Sequence, residues 1–494
     1  MQRKVIIESF LYSGSRYLIM FLGFIRYFYI GSVFTPAMYG AWVIYSTILA
    51  YADQMHFGLR HIGDREIPRL LRVGHDQEMR VLIRDLLSGI MIIGSVFFLA
   101  MIVSGLLDMK ASGDMALGLI LVGAIAVSDQ VNRFYFMLQR SHNQFLLTSR
   151  VESGFEIVKT LLLCFAVTKW FVNGALAALL VSNLGLILYM ALSYYHIDVR
   201  LFPSLTTVRS LIIKGIPLSL SGMFFIVQSN IDRVVGAFML SKEQLGLYGM
   251  AALIAFTPTM TTQAIGFVAS PRLNALYGKS LSNDELLVLF QKVLGMITVL
   301  IPVLIMLAGY GGPFVIQKYL PLYLRSVPAI EILLAGAAFF STAHLVTMLY
   351  ISLRRNAECI LLQTAGLVFS LVLYVVLILS GFRSIEWLAA GTSVSLGVVS
   401  IAFLLKASRT AYSPGLALKQ MMITVSVIAV GILNIVACNG LMNYLFPKGT
   451  AVALFLPLGK IFVYFITYGT IIYLCYKCKL IQLPIVKTDH AAVA

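Results

Sequence analysis

The chain has 494 residues, of which 60% are hydrophobic and 12% charged, with a mean hydropathy of +0.91. Soluble domains carry about 25% charged residues, so no water-soluble fold hides this much apolar surface and the class is polytopic membrane protein. The net charge of +16 sits mostly in short connectors between apolar segments, a pattern of topology signals and not of a nucleic-acid groove.

Arg3 and Lys4 precede the first apolar segment and imitate a secretory leader. The segment is too long for one and lacks a small-residue cleavage site, so it reads as a retained helix. A bilayer core of about 30 Å needs about 20 helical residues. That length predicts fourteen helices, at 10–34, 37–58, 86–107, 115–138, 151–168, 173–194, 211–240, 244–268, 285–309, 328–350, 359–381, 385–405, 420–440 and 451–476. All read as α-helices, because an open sheet edge cannot be satisfied in lipid. An even count puts both termini on one side. Of the 37 Lys and Arg, 22 fall in terminus-side segments, including six arginines between Arg60 and Arg84, and 7 on the opposite side. The bias predicts that both termini are cytoplasmic. External connectors are short, the longest at about 310–327. Five cysteines are present, and Cys475 and Cys478 form a C-x-x-C without a second ligand pair. That pattern reads as small residues tolerated at a helix end, and no metal or cofactor is expected.

The stretches FIRYFYIGSVFTPAMYGAW (Phe24 to Trp42) and NIDRVVGAFMLSKEQLGLYGM (Asn230 to Met250) align. Arg26 and Arg233 are followed 14 and 13 residues later by Gly40 and Gly246, each read as lying at a tight external turn, and two places on by Trp42 and Tyr248. Arg60 and Arg272 close the second helix of each pair. The expected domains are therefore two six-helix halves, 1–205 and 206–410, followed by two added helices in 411–494. Six helices per half leave both halves in the same orientation, as parallel repeats.

RYFYIGSVFTPAMYGAWVIYSTILAYAD, KGIPLSLSGMFFIVQSNIDRVVGAFMLSKEQLGLYGMAALIAF and VASPRLNALYGKSLSNDELLVLFQKVLGM resemble Wzx-type polysaccharide flippases. Their superfamily, the multidrug/oligosaccharidyl-lipid/polysaccharide (MOP) exporters, also holds lipid II flippases and MATE drug exporters. The shared features are G-I-P opening helix 7, the D-R late in it, the L-G-x-Y turn, and P-R-L-x-x-L-Y-G after helix 8. The resemblance covers the first ten helices by motif and the last four by topology. It implies an all-α, V-shaped bundle that moves an undecaprenyl-diphosphate-linked oligosaccharide across the membrane by alternating access. It further implies a monomer working beside membrane lipid, with a polysaccharide polymerase and a chain-length regulator as associates. Drive would come from the membrane potential or an H+ or Na+ gradient.

Ionisable groups inside a bilayer are costly and are functional candidates by default. Arg16 and Arg26 lie ten residues apart on helix 1, about 80° and 15 Å from one another, so both can face one cavity; snorkelling is the alternative for each. Asp129 and Arg133 on helix 4 have pairing spacing. Glu152, Glu156 and Lys159 form one stripe on helix 5. On helix 7, Asp232 and Arg233 are adjacent and so turned about 100° apart, poorly placed to pair with one another. The expected cationic lining is Arg16, Arg26, Lys159 and Arg233, with Arg60 and Arg272 at its mouth. Guanidinium suits a pyrophosphate. Asp53, Asp129, Arg133, Glu152, Glu156 and Asp232 are the expected tuning or ion-coupling groups. A MATE-like cation exporter would need an acid-rich cavity instead. A membrane glycan polymerase or transferase would need a large loop or clustered acid–base residues. The seven histidines are scattered, so no enzyme is expected.

Overall fold

A computed structural model describes residues 2–111, 115–193, 205–278, 283–352 and 355–411, with 422, 425–434, 459–460, 463–464 and 466–470 of the C-terminal part. Among these, every regular element is a helix. The chain packs as two compact units, Met1–Gly249 and Met250–Ala494.

Unit 1 holds α1 (Gln2–Val33), α2 (Pro36–Ala52), α3 (Leu59–Val73), α4 (Asp76–Ala111), α5 (Ala116–Ser141), α6 (Phe145–Ser193), α7 (Leu205–Met239) and the start of α8 (Lys242–Gly278). Pro36 opens α2 at a position where the missing N–H costs nothing, and the Thr35 hydroxyl accepts from Met38 N–H at 3.4 Å. The 49 residues of α6 contain both spans expected at 151–168 and 173–194. The chain reverses at Trp170 and Phe171, where Phe171 takes φ +50°. A Cβ at Gly174 would lie 2.5 Å from the Ala166 carbonyl oxygen, so the two arms close tightly just past the reversal.

The expected connector at 59–85 is a correction. Leu59–Val73 forms an amphipathic helix, burying Leu59, Ile62 and Ile67 against α4 and α5 while Arg65, Arg69 and Arg72 face outward. Helix period, and not overall hydropathy, decides this element. Its entry needs Gly58, which has φ +83° and lies so close to α7 that an added Cβ would sit 1.9 Å from the Gly215 carbonyl oxygen.

Gly40 and Gly246 are a second correction. Each is the fifth residue of its helix, α2 or α8, and so lies just past the first turn and not in the connector. A Cβ on Gly40 would meet the Lys242 carbonyl oxygen at 1.8 Å, and one on Gly246 would meet the Pro36 carbonyl oxygen at 1.8 Å. The contact is reciprocal: two helix starts cross where only hydrogen fits, the use membrane helices make of small residues. α7, which the repeat assigns to the second half, packs on α2 and α3 and so belongs to unit 1.

Unit 2 continues α8 and adds α9 (Asn283–Tyr319), a 3-10 turn at Pro321–Ser326, α10 (Val327–Ser352), α11 (Asn356–Leu379) and α12 (Ile385–Ala411). Small and hydroxyl residues set the spacing here too. Ser393 donates to the Ile332 carbonyl at 2.7 Å, and a Cβ on Gly336 would lie 2.7 Å from Ser393 Cα. Tyr464 donates to the Pro302 carbonyl of α9 at 3.0 Å, and Asn434 donates to Thr467 at 2.7 Å. Eight helices among the described residues are long and apolar enough to cross a membrane. The protein is multi-pass and all-helical, as expected.

Candidate functional site

The charged residues of unit 1 assemble into two clusters. The first joins α1 to the first arm of α6. Arg16 Nη1 lies 2.6 Å from Glu152 Oε1, and Arg26 Nη1 lies 2.9 Å from Glu156 Oε2. Lys159 Nζ bonds the other oxygen of Glu156. The two arginines are about 15 Å apart along their helix and the two glutamates about 6 Å along theirs, so the long guanidinium stems converge on the acid stripe. Glu156 serves two cations at once, leaving this cluster with one excess positive charge. These side chains are 12–14% exposed, in an environment where an unmatched charge is costly.

The second cluster gathers at the C-terminal end of α2. Asp53, the residue following α2, accepts from Arg60 at 3.0 Å and lies 3.1 Å from Arg133 Nε. Arg133 also holds Asp129 at 2.6 Å, the expected pair one turn apart on α5. Arg60 donates to the Asp53 backbone carbonyl at 2.9 Å, and Gln130 donates to the Ala52 and Asp53 carbonyls at 2.8 and 2.9 Å. Helix ends leave carbonyls without intrahelical partners; here one arginine and one glutamine satisfy them, fixing the turn into α3. Neighbouring polar contacts tie α5 to α6: Asn183 donates to Ser128 at 3.2 Å and Asn132 to the Asn183 carbonyl at 3.2 Å.

A cavity of about 360 Å3 lies between the clusters. Arg26, Lys159, Arg133, Asp53, Asp129 and Trp42 are among the residues lining it. The structure thus brings together Arg26, Lys159, Asp53, Asp129 and Arg133 at one cavity, with Glu156 and Arg60 bonded to its walls and Arg16–Glu152 one step along α1. Arg26 does not snorkel. Gln130 and Trp42, which the charge-led reading passed over, also line it; their signal in sequence was a polar amide and an indole within apolar runs.

Asp232 and Arg233 lie elsewhere. Asp232 is 3% exposed and accepts from the Tyr248 hydroxyl at 2.5 Å. Arg233 folds back on α7, donating to Asn230 Oδ1 at 2.5 Å. As helix geometry requires, the adjacent pair does not join to itself. Neither residue is among those lining the cavity. Arg272 lies on α8, and its side chain is outside the described residues, as are Cys475 and Cys478. Among the described residues no group of three His, Cys, Asp or Glu could hold a metal.

Residues 7–276 match the family model described as polysaccharide biosynthesis protein. The chain belongs to that family. No curated protein matches it in sequence. Among solved structures it is similar to the lipid II flippase MurJ in an inward closed conformation, at 14% identity and TM-score 0.67, over 95% of this chain and 100% of that one. It is also similar to an inward-facing MATE multidrug transporter of the MOP superfamily, at 14% identity and TM-score 0.61, over 81% of this chain and 98% of the other. A MOP superfamily transporter from Pyrococcus furiosus, whose binding pocket has reversed polarity, matches at 15% identity and TM-score 0.59 over 82% and 95%. The family and the fold together bear out the resemblance: the chain is a multi-pass membrane protein of the polysaccharide biosynthesis family with the fold of the MurJ and MATE structures.

Proposed function

We propose that the protein flips an undecaprenyl-diphosphate-linked oligosaccharide from the cytoplasmic to the outer leaflet of a bacterial inner membrane, for surface polysaccharide such as O-antigen. The observation carrying this reading is the Arg26–Glu156–Lys159 group on the cavity wall, where two cations share one carboxylate. A pyrophosphate offers more negative charge than Glu156 and displaces it in part, taking charge-assisted bonds from both cations. The sugars then occupy wet space while the tail stays in lipid. Arg60 and Arg133 are neutralised locally by Asp53 and Asp129 and position the second wall. The cluster balance disfavours a cation exporter, since every acid lining the cavity already holds an arginine.

Moving one charge through 100 mV is worth about 2.3 kcal/mol, so an anionic head group leaving a negative interior gains from the membrane potential. H+ or Na+ coupling would work through Glu156 or Asp53. Association with a polymerase and a chain-length regulator belongs to the same reading, with the flippase itself monomeric.

Deleting the gene should trap the lipid-linked repeat unit on the inner leaflet, identified by mass spectrometry. Complementation by Arg26→Ala plus Lys159→Ala, at matched abundance, should fall at least about tenfold, the weight of one lost charge-assisted bond. Normal surface glycan in the deletion strain, with no trapped lipid, would falsify the assignment.

A further inference from the structure

The first arm of α6 has two chemically opposite faces. One carries Glu152, Glu156 and Lys159 toward α1. The other faces the second arm across an apolar groove of about 620 Å3 that includes Val151, Phe155, Val158 and Leu162 on one wall and Leu186 on the other. The floor is opened by Gly154 and Gly185. A Cβ built on either would meet nothing within 4 Å, so neither glycine is there for close helix contact. Any leucine-sized residue would fill the groove from within.

One end is polar. Arg150 lines the groove there, is exposed, and has no ion-pair or hydrogen-bond partner among the described residues. Tyr189 lies at a matching distance from the Trp170 reversal on the opposite arm and lines the same end. Basic and tyrosine side chains together mark the headgroup level of a bilayer. From Arg150 to Leu162 is about 18 Å of helix rise, close to the about 15 Å of hydrocarbon in one leaflet. An open apolar groove within a bilayer is filled by lipid chain, and its length suits one acyl chain. A polyprenyl tail is far longer than a leaflet is deep.

We propose that this groove binds an anionic phospholipid of the surrounding bilayer, with one acyl chain along the Gly154–Gly185 floor and the headgroup phosphate on Arg150. The bound lipid then forms part of the wall behind the Glu152–Glu156–Lys159 stripe, setting how the first arm of α6 seats against α1.

The test is native mass spectrometry of the purified full-length chain, supplied with phosphatidylglycerol or with phosphatidylcholine of the same acyl composition. Wild type should retain the anionic lipid about fivefold better, the weight of one basic side chain at an anionic surface. Arg150→Gln should bring that ratio near one, and Arg150→Lys should keep most of it. Gly185→Leu should lower retention of both lipids while leaving the melting temperature in detergent unchanged. Should Gly185→Leu fail to fold, Gly154→Leu fills the same groove from the opposite wall. Equal retention of the two lipids by wild type would overturn the proposal. So would full retention in the leucine variant that folds, or a polyprenyl lipid co-purifying in the groove in place of phospholipid.

Discussion

Arg26 and Arg233 occupy equivalent places in the sequence repeat, yet the structure gives them different work. Arg26 crosses from α1 to α6, joins Glu156 and lines the cavity. Arg233 turns back to Asn230 one turn away on its own helix, while its neighbour Asp232 is occupied by Tyr248. Thirteen or fourteen residues on, the equivalence returns: a Cβ added to Gly40 or to Gly246 would meet a backbone carbonyl of the other's helix at the same 1.8 Å. A repeat equates backbone positions, and contacts made by backbone follow it. The partner of a long charged side chain depends on helices the repeat does not equate, and there the two halves part.

The largest effect should come from breaking the asymmetric contact. Glu156→Ala leaves Arg26 and Lys159 facing one another with no carboxylate between them, in a setting 12–14% exposed. Loss of one partner from such a buried group costs about 3–5 kcal/mol. Asn230→Ala removes the hydrogen bond to Arg233, worth about 1.5 kcal/mol, and a local bond to the Ile226 carbonyl on the same helix. Thermal unfolding of the two variants in the same detergent should place Glu156→Ala well below Asn230→Ala. Equal midpoints would mean that Arg26 and Arg233 are equivalent after all.

The symmetric contact predicts the opposite pattern. Gly40→Ala and Gly246→Ala each place a methyl into a backbone carbonyl that has no side chain to rotate away. Overpacking costs about 1–3 kcal/mol, and the two variants should lose stability to the same extent. A double variant should lose less than the sum of the singles, because the first methyl already separates the helices. A large loss in one and none in the other would show that the crossing is not reciprocal in solution.

The long apolar helices were legible because a bilayer imposes one length on every span, but boundaries were looser: α4 begins ten residues before its expected start, and α8 and α9 each run ten residues past their expected ends. The first helix of the charged connector was not, because its six charged residues hide Leu59, Ile62 and Ile67 at helical spacing. Hydropathy averages over a window, whereas burial follows period. The stripe of Glu152, Glu156 and Lys159 was legible as a stripe, but sequence offered no reason to match it with Arg16 and Arg26, which lie 136 and 130 residues away. The reading of the arginines as a bare cationic lining changes for the same reason: acids from other helices neutralise most of it. The Gly154–Gly185 opening left no trace, since an isolated glycine in an apolar run marks a close contact as readily as a void.

The smallest effect tests how many acids each cation needs. Glu156 is one carboxylate serving two cations, whereas Arg133 is one cation held by Asp129 at 2.6 Å and by Asp53 at 3.1 Å. Asp129→Asn removes one acid of two, at a site where Arg133 stays 46% exposed. Asp53 remains to hold the guanidinium, and the asparagine amide oxygen still accepts. The change should stay below about 1 kcal/mol, the range of exposed pairs, and it adds one positive charge to the cavity wall. Transport of an anionic head group should therefore be kept or raised in Asp129→Asn at matched abundance, while Glu156→Ala lowers protein yield. A loss of transport in Asp129→Asn without a loss of stability would move the working carboxylate from α6 to α5.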